Sequence, residues 1–257
     1  MTWRLDLIRR LQRNFALALM MLLSACVHAS GLQVAVASNF SGPMKIIAAV
    51  FEKESGHKLR LAFGATGQFY AQIRNGAPFA VLLAADDETP QRLIRDGHAV
   101  EDSAFTYATG RLVLWSKKPG FVDSKGEILK SDAFARLAIA NPKLAPYGAA
   151  AIETLGKLGL LERIAPKLVE ASNIAQAFQF VASENAALGF VAMSQVFENG
   201  VLKEGSAWIV PNTLHAPIHQ NAVLLNPGKN DPTALALINF LKTESAKSMI
   251  RSFGYHL

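Results

Sequence analysis

The chain has 257 residues, 51% of them hydrophobic and 18% charged, with a formal net charge of +6. Such a chain can bury a substantial core, which excludes an intrinsically disordered protein. Its length suits one large domain or two lobes of roughly 100–150 residues each.

The N-terminus reads as an export signal. Arg4, Arg9, Arg10 and Arg13 form a basic leader with Asp6 as its one acid, and an apolar run follows from Phe15 to Ala25. The run then exits through Cys26-Val27-His28-Ala29-Ser30-Gly31. A basic region, a short apolar stretch and small residues at the exit make a secretory signal over residues 1–29. The run is too short for a membrane-spanning helix, which needs about 20 residues. The sole cysteine, Cys26, allows two processing routes. Leu23-Ser24-Ala25-Cys26 resembles a lipoprotein box, whereas Val27-His28-Ala29 resembles a cleavage site releasing a soluble product near Ser30; the second is favoured. Either way the mature fold has no disulfide. Removing residues 1–29 takes away four Arg and one Asp and leaves about +3. With no long Lys/Arg cluster, that is too mild for a nucleic-acid footprint.

From Leu32 onward, apolar runs alternate with helical patterns. Leu32–Ala37 reads as a strand, and Ser41-Gly42-Pro43 opens a helix through Met44, Ile47, Ala48 and Phe51 that Gly56 closes. Lys58–Phe63 alternates as a strand, Gly67–Asn75 is a short helix ended by Gly76, and Ala80–Ala85 is an apolar strand of the kind buried on both faces. A helix over Glu88–Asp96 stops at Gly97. This βαβαβα order predicts a parallel α/β sheet. After strand Leu112–Trp115 and a polar stretch near 117–132, the pattern restarts. It gives strand Leu137–Ala140, helix Gly148–Leu158, a shorter helix Leu161–Ala165, strand Lys167–Glu170, helix Ile174–Ser183 and strand Leu188–Val191. The apolar run Ala222–Leu225 precedes one final helix over Pro232–Phe253. Two α/β units with a C-terminal return predict two lobes, residues 30–110 plus 217–257 and residues 111–216. A ligand cleft would lie between them, with hinge closure as the expected motion.

Four strand-to-helix junctions draw attention: Ala37–Gly42, Phe63–Gln68, Asn141–Gly148 and Glu170–Gln176. Each combines small residues, a hydroxyl or amide, and a helix start. Helix N-termini offer unpaired N–H donors and partial positive charge, and small residues let backbone approach an anion. Ser38, Asn39, Thr66 and Tyr147 add side-chain donors. The plain alternative for each Ser, Thr or Asn is helix capping. Lys143 alone carries charge within the donor-rich parts, whereas phosphate-ester and carboxylate sites commonly use Arg. Neutral donors suit a compact, fully ionised oxyanion such as sulfate, molybdate or tungstate. Protonated phosphate fits less well, since no carboxylate sits among the donors, although Asp86 and Asp87 end a nearby strand.

Enzyme chemistry finds little support. There is no G-x-S-x-G elbow, H-E-x-x-H or Walker A loop. His215 and His219 have helical metal-pair spacing, but Pro217 between them argues for a loop or hinge. His57 and His98 follow helix-ending glycines and read as solvated or capping residues, and Glu52 and Glu54 as a solvated face. Trp115 and Trp208 read as packing residues, and Phe178 and Phe180 as a core stripe. A secreted α/β enzyme is the distant alternative.

A family resemblance is carried by Val36–Phe40, by Gly64-Ala65-Thr66-Gly67 with Tyr70-Ala71-Gln72-Ile73, and by Asn75–Pro78. It continues through Asn141-Pro142 with Ala145-Pro146-Tyr147-Gly148 and through Leu188–Val191. In order and spacing these segments resemble periplasmic molybdate-binding proteins from about Leu32 to the C-terminus. The resemblance implies the type II periplasmic-binding fold, no enzyme activity and no cofactor or side-chain-bound metal. It further implies a monomer in the periplasm that captures molybdate or tungstate and delivers it to the membrane permease of an ABC importer; a receptor for sulfate or another oxyanion is the alternative. The implied ligand contacts are Ser38, Asn39, Thr66, Tyr147 and the Ile174 N–H. Many relatives have Ser at the Thr66 place. Some put a contacting Tyr just after the Leu-Gly-aromatic-Val strand, where this chain has Ala192, and Tyr147 is the candidate to replace it.

Overall fold

The computed structural model describes residues 31–257, so the signal segment and Cys26 lie outside the described residues. The first half runs β1 (Leu32–Ala37), a 3-10 turn (Ser38–Phe40), α1 (Ser41–Ser55), β2 (Leu59–Gly64), α2 (Thr66–Arg74), β3 (Val81–Ala84), α3 (Glu88–Arg95) and β4 (Phe105–Gly110). The chain then crosses over into β5 (Leu112–Ser116), β6 (Leu137–Ala140), α4 (Pro146–Lys157), α5 (Leu161–Ile164), β7 (Leu168–Ala171), α6 (Ile174–Ala182) and β8 (Leu188–Ala192). It continues through α7 (Met193–Val196), the small hairpin β9 (Phe197–Glu198) and β10 (Val201–Leu202), and β11 (Ser206–Ile209). A return crossing leads into β12 (Ile218–Leu224), α8 (Pro232–Leu241) and α9 (Glu244–Ser252).

Two five-stranded sheets result, ordered β2-β1-β3-β12-β4 and β11-β5-β8-β6-β7. Each sheet is mostly parallel, as the two-lobed type II fold implies, with one reversed strand in each. β12 runs antiparallel to both β3 and β4, and β5 runs antiparallel to both β8 and β11. These reversed strands are the ones that enter a sheet from a crossing segment rather than from a βαβ unit, so no right-handed crossover forces them parallel. Helices cover the sheets: every residue of β3, β5, β6 and β8 is buried, as their unbroken apolar runs require. One apolar cluster fills the second sheet and its helices, and two others occupy the two faces of the first.

Several elements escaped the sequence pattern. β4, Phe-Thr-Tyr-Ala-Thr-Gly, has no apolar run, yet its aromatic and β-branched residues suit a pleated edge. β12 begins at Ile218, earlier than its apolar run at Ala222, because the polar Gln220 and Asn221 are buried within it. Its pairing with β4 shifts register between Gln220 and Asn221. Such a bulge re-aims side chains. The stretch expected as one final helix is two, since Thr243 ends the first and caps the second by accepting from the Ala246 N–H. Helix α4 starts at Pro146, two residues before expectation, with Pro at a position where its missing N–H costs nothing. Trp208 is core: its ring lies against Gly126, whose φ of +72° and lack of Cβ leave room for it. Trp115 stacks on Phe178 and donates to the Glu204 carbonyl.

Candidate functional site

All five expected contact residues line one small cavity between the two sheets. Ala37, Ser38 and Asn39 come from the end of β1; Gly64, Ala65 and Thr66 from the β2–α2 junction; Ala85 from the end of β3. Ala145, Pro146 and Tyr147 approach from the start of α4, and Ile174 from the start of α6. No lining residue is charged. The cavity volume is about 10 Å³, room for one small species and far below the roughly 300 Å³ at which organic-ligand pockets begin.

The capping alternative holds for one residue. Asn173 caps α6 by accepting the Gln176 N–H at 3.1 Å, and Gln176 Oε1 accepts the Ser172 N–H at 2.6 Å. This uses the third N–H of the helix and leaves that of Ile174, at the first position, without an intrahelical acceptor. Ser38 and Thr66 cap nothing. The Thr66 hydroxyl is buried and accepts the Ala85 N–H at 3.0 Å, so its own proton remains free to donate. Ser38 Oγ donates to Asn173 Oδ1 at 3.3 Å, beyond the usual 2.5–3.0 Å for a hydroxyl donor, a bond easily given up for a better acceptor.

Asn39 departs from expectation. Gln220 Nε2 donates to the Ile218 carbonyl at 3.0 Å, which turns Gln220 Oε1 toward Asn39. Asn39 Nδ2 donates to that oxygen at 2.7 Å and to the Tyr255 hydroxyl at 2.9 Å. Both amide protons are therefore spent inside the protein, and what Asn39 can offer the cavity is its backbone N–H. The sequence carried no sign of this, since Gln220 and Tyr255 lie about 180 and 216 positions away.

Tyr147 is 2% exposed, and its hydroxyl has no partner among the described residues. A buried polar group without a partner costs about 1–3 kcal/mol, and this residue stands at the cavity wall with its hydroxyl proton unused. Burial holds its phenol well above 10, and pushes Tyr255 up to about 12. Both stay protonated, and of the two only Tyr147 lines the cavity, where it can present O–H to an anion. Room for the Tyr147 ring is made by Gly110, where an added Cβ would overlap the hydroxyl.

A larger open cavity adjoins the small one, sharing Ala85, Ala145 and Pro146, and contains the acids Asp86, Asp87, Glu88 and Glu153 with Arg92 and Lys143. Burial raises the Asp86 carboxyl above its ordinary value, partly offset by the Thr89 N–H that it accepts at 2.7 Å. Lys143, the one charge near the expected donors, lies in this outer cavity and not in the inner one. His215 is buried in the return crossing with Nδ1 against the Ala216 carbonyl, and His219 sits within β12.

The geometry has close counterparts. The family model for bacterial extracellular solute-binding protein matches residues 32–256. A molybdate-binding protein of Azotobacter vinelandii is 57% identical over 236 residues, covering 92% of this chain and 94% of the relative. That of Rhodobacter capsulatus is 50% identical, covering 93% and 94%. Among solved structures, the periplasmic molybdate-binding protein of Azotobacter vinelandii superposes with a TM-score of 0.86 at 39% identity, over 88% of this chain and 99% of that one.

Proposed function

The chain belongs to the bacterial extracellular solute-binding proteins and, among them, to the molybdate-binding proteins, and on that premise we propose how its inner cavity performs the task. It captures molybdate for an ABC importer and is a non-enzymatic transport component.

The observation that carries the site assignment is a cavity walled by neutral donors and no charge. Ser38, Asn39, Thr66, Tyr147 and Ile174 line it, and the donors of this reading are the hydroxyls of Ser38, Thr66 and Tyr147 with the N–H groups of Asn39 and Ile174. A dianion without a counter-charge is stabilised by donors fixed in place before it arrives, and by the positive ends of the helices that begin at its wall. Such a cage also discriminates. A protonated oxyanion brings a donor of its own, and none of the cavity's hydroxyls or N–H groups is a carboxylate that could accept it. Tungstate, with the same shape and charge, binds alongside molybdate, and sulfate, with shorter bonds to oxygen, binds more weakly.

The remaining reading extends outward from the site. Residues 1–29 direct export to the periplasm, where the mature chain acts as a soluble monomer. Residues 30–110 with 217–257, and residues 111–216, act as two bodies that close on the ion about the crossings near Arg111 and His215. The test is isothermal titration of the purified protein with molybdate, tungstate and sulfate. Tight binding of the first two and at least 100-fold weaker sulfate binding is the expected pattern. Sulfate binding as tight as molybdate would overturn the assignment of selectivity to this cage.

A further inference from the structure

The hydrogen bonds around Asn39 reach across the cleft. Ser194 stands in α7, directly after β8 of the second sheet, while Asn39 follows β1 of the first. Ser194 Oγ donates to the Asn39 carbonyl at 2.7 Å. The Tyr255 hydroxyl, from the segment after α9, lies 3.0 Å from the same carbonyl and 3.2 Å from Ser194 Oγ. Its one proton goes to either oxygen, while its lone pair takes Asn39 Nδ2. Ser194, Asn39 and Tyr255 are all buried. Asn39 is thus held at its carbonyl and its side chain together, and only its N–H remains to face the cavity. Ser194 does not line that cavity.

We infer that Ser194 is a positioning residue for anion retention: its bond to the Asn39 carbonyl exists only when the two sheets are drawn together, and it then locks Asn39 for the ligand. The inference rests on the reading of the inner cavity as the molybdate site. Its physical content is kinetic. Because the bond crosses the cleft, it forms after the ion has entered the open protein, and it must break before the ion leaves. Ser194 therefore acts on release and not on capture. The neighbouring backbone bond from Gly67 N–H to the Leu144 carbonyl, 2.9 Å, joins the same two halves and closes with it.

The experiment compares wild type, Ser194→Ala and Tyr255→Phe by stopped-flow fluorescence with molybdate, and by thermal melts with and without molybdate. Ser194→Ala should raise the dissociation rate about 3- to 10-fold, the worth of one neutral hydrogen bond, with an association rate within about 2-fold of wild type. Its ligand-free melting temperature should match wild type, and Tyr255→Phe should raise the dissociation rate in the same direction. An unchanged dissociation rate in Ser194→Ala, a change carried wholly by association, or an equal loss of melting temperature with and without molybdate overturns the inference. Failure of the wild type itself to bind molybdate would instead refute the reading of the cavity.

Discussion

Gly110 is the last residue of β4, at the crossing into the second sheet, and its lack of a side chain makes the slot for Tyr147. Its backbone is not in the left-handed region, so alanine is conformationally allowed there and Gly110→Ala isolates a steric effect. The new Cβ would overlap the Tyr147 hydroxyl, lie 3.0 Å from its Cζ and 3.2 Å from Gln220 Nε2. Gln220 is fixed by its bonds to Ile218 and Asn39, so the Tyr147 ring must tilt within its core packing and carry the hydroxyl with it. Two costs follow. Overpacking removes about 1–3 kcal/mol of stability. Displacing one donor from a charged ligand removes about 1.5–3 kcal/mol of binding, which is roughly 10- to 150-fold in Kd. Isothermal titration of Gly110→Ala, Tyr147→Phe and the double variant separates the effects. Phenylalanine lacks the overlapping oxygen, so Gly110→Ala should cost much less in the Tyr147→Phe background than in wild type. Wild-type affinity in Gly110→Ala, or strictly additive losses in the double variant, would refute the assignment of Tyr147 as a ligand donor.

Thr66→Ala should weaken molybdate binding by about 1.5–3 kcal/mol and leave the Ala85 N–H without its acceptor, while Thr66→Ser should retain most of the affinity; titration of both variants checks this. In Gly67→Ala the new Cβ would lie 3.1 Å from both Cα and O of Leu144 across the cleft, so the halves should close less fully. Small-angle scattering with saturating molybdate should then show a larger radius than wild type, and an identical radius would count against the closure role. Asp86 sets a pH dependence. Its folded value lies above the ordinary 3.8, so its contribution to stability is full below about 3.8 and is lost as pH rises through the raised value. Asp86→Asn removes that loss while keeping an acceptor for the Thr89 N–H, so its melting temperature relative to wild type should climb between pH 4 and 8. A difference independent of pH would mean that Asp86 is not desolvated.

Much of the site was legible because it is built from local patterns. Ser38, Thr66 and Ile174 each sit where a strand hands over to a helix, and a strand end, a small residue and a helix start are all encoded within about six consecutive residues. Pro146-Tyr147-Gly148 is readable for the same reason, proline marking the first turn. The buried strands β3, β6 and β8 announced themselves as unbroken apolar runs. What stayed hidden was whatever depends on partners distant in sequence. β12 carries polar residues into the interior because Gln220 is satisfied by Asn39, and no periodicity rule counts a buried amide as core. β4 lacks an apolar run and is a strand only because β12 pairs with it.

The amino-acid sequence by itself determined the α/β alternation, the four junctions and the neutral character of their donors, since propensity, turn chemistry and helix starts act over a few residues. Tertiary structure alone decided which donors remain free. Asn39 spends its amide on Gln220 and Tyr255, Thr66 keeps its proton because Ala85 supplies the other bond, and Tyr147 reaches the cavity because Gly110 has no side chain. A hydrogen bond saturates once its donor is used, and which partner uses it depends on how the two sheets come together, not on the order of the chain.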